Sequence, residues 1–78
     1  MRAYILITTK PGTSEEVVGA IKATREVKGV VLADSVYGRF DAIVVIEAPD
    51  LQTISSIVYK VIEKIPNITH TETALTVF

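Results

Sequence analysis

Two runs of consecutive apolar residues, Ala3-Tyr4-Ile5-Leu6-Ile7 and Ala42-Ile43-Val44-Val45-Ile46, constrain the fold more than any other feature of the chain. Successive residues of a strand point to opposite faces, so an antiparallel sheet with one wet face alternates apolar and polar side chains. These runs do not alternate, and strands built from them are apolar on both sides. Such strands belong in the middle of a sheet that is covered on each face.

The rest of the chain supplies one cover. Ala3 to Thr8 reads as the first strand, ended by the turn signal Lys10-Pro11-Gly12. Thr13 with Glu16 three residues on fits a capping box, and Glu15 and Glu16 suit the positive end of a helix. Val17, Val18, Ile21 and Thr24 or Arg25 then recur at helical spacing. Gly19 inside that helix costs about 1 kcal/mol relative to alanine, so it is either tolerated or a close-packing position. Lys28-Gly29 breaks the helix, and Val30 to Val36 reads as a second strand. Tyr37 to Asp41 turn the chain into a third, Asp41 to Glu47, which Ala48-Pro49 stops. Asp50 is placed to cap a second helix, with Leu51, Ile54, Val58, Val61 and Ile65 as its apolar stripe, widened by Ile57 and Ile62. Pro66-Asn67 ends it, and Ile68 to Phe78 reads as a threonine-rich last strand.

The order strand, helix, strand, strand, helix, strand fits the split βαβ, ferredoxin-like plait, an α+β fold with four antiparallel strands and two helices on one face. The apolar runs are then its two central strands. The helices cover one face only, and an exposed patch of several hundred Å² is rare on a monomer. A second copy is expected on the other face, as a homo-oligomer.

Composition narrows the function. The 78 residues are expected to form one domain, 1–78, and 49% hydrophobic residues exclude disorder. Without cysteine there is no disulfide, thiolate metal site or cysteine nucleophile. The net charge is −1 and the eight cations are scattered singly, so no stripe tracks phosphates. No apolar run is long enough for a signal segment or a membrane span, and a soluble cytoplasmic protein is expected.

Little of the sequence points to catalysis. His70 and Glu72 share one face of the last strand, but one such pair lacks the third ligand of a catalytic zinc site. The serines carry no nucleophile signature and the four glycines are isolated, so no catalytic residue, metal or cofactor is expected. Thr69, Thr71 and Thr73 alternate along the last strand. Ordinary β-propensity accounts for them, and a row of hydroxyls for a small polar ligand is the other reading. The turn Tyr37-Gly38-Arg39-Phe40-Asp41 carries more chemistry than a hairpin needs. Arg39 and Asp41 either pair with each other or offer complementary charges to a zwitterion between the walls of Tyr37 and Phe40.

Gly38-Arg39-Phe40-Asp41 followed by Ala42 to Ile46, then Asp50 opening a helix and Thr73 before Ala74-Leu75, resembles the C-terminal effector domain of the Lrp/AsnC (feast/famine) transcription regulators, the RAM domain. The resemblance extends through AYILITTKPGTSEEVVGAI to the whole chain, with Asn67 standing where the family usually has glycine. It implies a dimer through the open sheet faces, octameric or decameric rings of dimers, and an amino acid bound between dimers. Gly38 and Asp41 fall at the ligand through the shared motif, Tyr37 and Arg39 by adjacency, Thr71 and Thr73 through the last strand. With no room for a DNA-reading helix-turn-helix, the chain resembles a stand-alone module. Co-assembly with full-length Lrp/AsnC regulators would use the same surface. Two competitors share the topology. A small dimeric α/β-barrel monooxygenase-like enzyme would use His70, Tyr4 or Tyr59 in a pocket inside the chain. An ACT-like module would bind between the first strand and first helix, near Pro11-Gly12.

Overall fold

A computed structural model describes residues 1–24 and 29–78. Arg25, as a stripe position, and Lys28, as a helix break, lie outside the described residues. The elements are β1 (Arg2–Thr9), α1 (Ser14–Ala23), β2 (Val30–Ser35), β3 (Ala42–Glu47), α2 (Leu51–Lys60), a short 3-10 turn (Ile62–Lys64) and β4 (Ile68–Leu75). The four strands form one antiparallel sheet in the order β2-β3-β1-β4, the ferredoxin-like arrangement, with β1 and β3 central.

The period of two sorts the apolar runs. Ala3, Ile5 and Ile7 of β1 and Ala42, Val44 and Ile46 of β3 are fully buried against Val17, Val18 and Ile21 of α1 and Ile54 and Val58 of α2. Full burial of each isoleucine or valine contributes about 1.5–3 kcal/mol. The alternate residues form the other face, where Tyr4 lies opposite Val45 and Leu6 opposite Ile43. They shield one another: Val45 is only 8% exposed, and Tyr4, Leu6 and Ile43 are half-buried. Polar residues ring this apolar centre. Arg2 pairs with Glu47 at 3.2 Å, and hydrogen bonding to Tyr4, then Glu47, raises the Arg2 pKa.

Several local expectations are corrected. The capping box does not form, because the Thr13 hydroxyl turns back to donate to the Lys10 carbonyl at 2.6 Å. Glu16 instead accepts from Asn67 Nδ2 at 3.5 Å. The Ser14 hydroxyl, in the first turn of α1, lies 2.9 Å from that of Ser35. Gly19 is the tolerated kind, since an added Cβ would meet nothing within 4 Å. Helix α2 stops at Lys60, five residues short of Ile65, because the residue before Pro66 is pushed into an extended conformation and the chain tightens ahead of it. That tightening rotates Ile62 fully into the core and leaves Val61 half-buried. Leu51, assigned to the stripe, is 49% exposed. β4 ends at Leu75: Thr76 makes a last bond to Arg2, and Val77 and Phe78 stand in solvent.

Two close details hold the ends of strands. At Gly29, with φ +114°, a Cβ would lie 2.7 Å from the Glu47 carbonyl oxygen, and its own carbonyl accepts the Glu47 N–H at 2.8 Å. Asn67 adopts φ +76°, the left-handed conformation that glycine would supply, so the turn into β4 forms without glycine.

Candidate ligand site at the β2–β3 turn

The turn between β2 and β3 is held by backbone bonds at both ends. Val36 donates to the Asp41 carbonyl at 2.9 Å, and Asp41 donates to the Ile7 carbonyl at 2.9 Å. The Asp41 side chain adds a third tie. The register of β1 with β4 shifts between Thr8 and Thr9, and Asp41 Oδ2 takes the Thr9 N–H at 2.8 Å. Asp41 is thereby aimed by the central strand, and Oδ1 remains for another donor. Gly38 has φ +143°, a conformation that side chains rarely adopt, and no neighbour crowds it. Its role in one protomer is the bend.

The expected alternatives for the charges resolve in part. Arg39 forms no ion pair with a described residue, so the pairing with Asp41 is absent. The guanidinium lies 5.7 Å from the centroid of the Phe40 ring, at the outer range of a cation–π contact. Tyr37 is wholly exposed and walls nothing within its own protomer.

The last-strand residues lie elsewhere on the sheet. Thr71 is in register with Ile7, and Ile7 with Ala42, so Thr71 stands two strands, roughly 10 Å, from the start of β3. Thr73, in register with Ile5, borders a hollow of about 340 Å³ between α2 and β4, walled by Leu51, Ile54, Val58, Tyr59 and Leu75. A smaller hollow of about 150 Å³ is bordered by Glu63, Ile68, Thr69, His70 and Thr71. Neither hollow includes Tyr37 to Asp41. Thus Tyr37, Gly38, Arg39 and Asp41 are grouped, and Thr71 and Thr73 are not grouped with them in one protomer.

One feature escaped the sequence reading. The Thr9 amide is the partner that orients Asp41, and its only signal is a strand end beside Lys10-Pro11-Gly12. Tyr59, named for the enzyme alternative, borders the α2–β4 hollow together with Glu63 of the 3-10 turn. The enzyme alternative needs His70, Tyr4 or Tyr59 at an enclosed pocket. Tyr4 and His70 are on the open sheet face, in register with Ala74 and Thr8, while Tyr59 is 67% exposed on the helix side. His70 Nε2 lies 3.9 Å from Glu72 Oε1, both side chains exposed. Among the described residues no group of three or more His, Cys, Asp or Glu could hold a metal, and no helix is long and apolar enough to cross a membrane.

The fold recurs among known proteins. No curated protein matches the chain in sequence. Among solved structures, FFRP-DM1 is 33% identical with a TM-score of 0.82, the match covering 97% of each chain. A hypothetical protein of Pyrococcus horikoshii is 34% identical with a TM-score of 0.81, covering 99% of this chain and 89% of the other. A transcriptional regulator of Neisseria meningitidis, solved as a complex with L-Met, shares the fold at a TM-score of 0.78 and 13% identity; this chain, 99% covered, spans 49% of its length. The model of the Lrp/AsnC ligand-binding domain matches residues 2–77, and the chain belongs to that family.

Proposed function

We propose that the chain is a regulatory module that binds an amino acid at the β2–β3 turn and self-assembles, with no catalytic step and no DNA contact of its own. The observation that carries this reading is the turn. It holds a carboxylate aimed by the Thr9 amide, a guanidinium without an ion-pair partner among the described residues, and a wholly exposed tyrosine within five residues. A free amino acid offers the matching set. Its ammonium fits Asp41 Oδ1, its carboxylate fits Arg39, and its side chain fits the ring of Tyr37. Gly38 permits the bend that brings the three together.

One protomer leaves this site open on the solvent side. Thr71 and Thr73 stand too far away to close it within the same chain, so in this proposal they face the ligand across an interface between copies. The open sheet face supports self-assembly independently, with Tyr4, Leu6, Ile43 and Val45 forming an apolar centre inside a polar rim. Ligand binding across an interface shifts assembly by its differential affinity for the assembled state. The eight singly scattered cations favour this role over binding nucleic acid directly.

Thermal unfolding with each of the twenty amino acids at millimolar concentration tests the reading. A ligand present at about 100 times its dissociation constant adds about 2.7 kcal/mol, which is roughly 10–20 °C for a domain of this size. Arg39→Ala is expected to abolish the shift with little change in the unliganded melting point. The absence of a shift with any amino acid would falsify the proposal.

A further inference from the structure

β4 lies at the edge of the sheet and is paired to β1 alone. In an antiparallel ladder alternate residues turn both backbone groups toward the same neighbour. Thr76 donates to the Arg2 carbonyl at 3.0 Å, which puts Ala74 and Glu72, in register with Tyr4 and Leu6, in the set facing β1. Thr71, Thr73 and Leu75 therefore turn their N–H and C=O groups away from the sheet. Natural edges are blunted by lysine, proline or a bulge. From His70 to Leu75 there is no lysine or proline and the register is regular, the shift being confined to the Thr8/Thr9 step.

The same segment, Thr69-His70-Thr71-Glu72-Thr73, is its own complement when run antiparallel about Thr71. In that register His70 faces the partner's Glu72, Glu72 faces the partner's His70, and Thr71 faces the partner's Thr71. A histidine ring N–H facing a carboxylate is a donor–acceptor match, and paired threonines are favourable cross-strand neighbours. The outward set must meet the outward set, so the register can change only in steps of two. One step brings Glu72 against the partner's Glu72, and the next brings it against Ala74. Only the Thr71-centred register joins both ionisable residues to a complement.

We propose that β4 docks a second copy of this chain by antiparallel strand addition centred on Thr71. The occupant is a second copy rather than an unrelated peptide because the pattern of donor, threonine and acceptor complements itself. This contact is separate from the open sheet face and does not rest on amino-acid binding.

The chain has no cysteine, so a single introduced thiol reports the register directly. Opposed residues of a hydrogen-bonded pair have Cα atoms about 5.5 Å apart, within reach of a disulfide. Thr71→Cys is expected to give a covalent dimer under mild oxidation without added amino acid. Thr73→Cys, offset by four residues and so roughly 14 Å from its copy, should cross-link at least about tenfold more slowly. Cross-linking of Thr73→Cys as fast as Thr71→Cys, or of neither, overturns the proposal. A second arm uses charge: His70→Glu should weaken association about tenfold, and the exchange H70E/E72H should restore it. Failure of the exchange to restore association also overturns it.

Discussion

Asp41 is predicted to act first as a structural tie, and replacing it separates that role from ligand binding. Its carboxylate accepts the Thr9 N–H at 2.8 Å in a partly buried contact. A hydrogen bond to a charged acceptor contributes about 1.5–3 kcal/mol, and removing the acceptor leaves a donor unpaired. Asp41 is half-buried, so the lower part of that range applies, and Asp41→Ala is expected to cost about 1.5–2 kcal/mol. Asp41→Asn keeps a carbonyl oxygen of the same reach and exchanges a charged acceptor for a neutral one, at about 0.5–1 kcal/mol. At about 4–8 °C per kcal/mol, the alanine variant should melt roughly 6–16 °C lower and the asparagine variant roughly 2–8 °C lower. Urea unfolding followed by circular dichroism measures both, at one fixed protomer concentration because self-association makes apparent stability depend on it. Asp41→Asn should then fold and lose the response to amino acids, having no charge for an ammonium. An alanine variant within about 0.5 kcal/mol of the parent, or an asparagine variant equally destabilised, refutes the tie to Thr9.

Other expectations follow from single features. Gly19→Ala in α1 meets no atom within 4 Å and should stabilise by about 1 kcal/mol, raising the melting point roughly 4–8 °C; a lower melting point contradicts an open helix face at that position. The Asp50 carboxyl accepts from the Thr53 hydroxyl and amide, which holds its pKa below the ordinary 3.8. Since the unfolded chain takes up that proton first as pH falls, the cap's stabilisation is complete above the ordinary value and is lost through the lower folded one. Asp50→Ala should therefore destabilise at pH 7 and match the parent below the folded pKa, and an unchanged gap in strong acid contradicts the cap. Ile43→Asp puts a charge at the centre of the open face and should lower the assembly mass seen by light scattering, whereas an unchanged mass argues that this face is not the contact.

The architecture was legible because β1 and β3 declare themselves. Residues that are apolar at every position have one place in a plait, and the two helical stripes could cover only one side of it. What the pattern missed was decided by partners distant in the chain or by backbone competition. In sequence Arg39 and Asp41 stay open between pairing with each other and facing a ligand; in the structure the Thr9 amide, 32 residues away, takes one carboxylate oxygen and the two do not pair. Thr13 reads as a capping residue, yet the Lys10 carbonyl lies nearer its hydroxyl than the helix amides it was expected to meet. The phase of the stripe after Lys60 depended on how the chain tightened before Pro66, which moved the buried position from Val61 to Ile62. For Thr71 and Thr73 the alternation was correct, but only the register with Ile7 and Ile5 locates them relative to the turn.

The bond between Asp41 and Thr9 gives β1 a mechanical part. One end of this strand is clasped by the turn, and its middle carries Tyr4 and Leu6 on the open face. A tug on the clasp travels along a stiff pleated rod rather than through a slack loop. In the proposed function, a ligand at the turn and a copy on the open face would load this one beam from its end and from its middle.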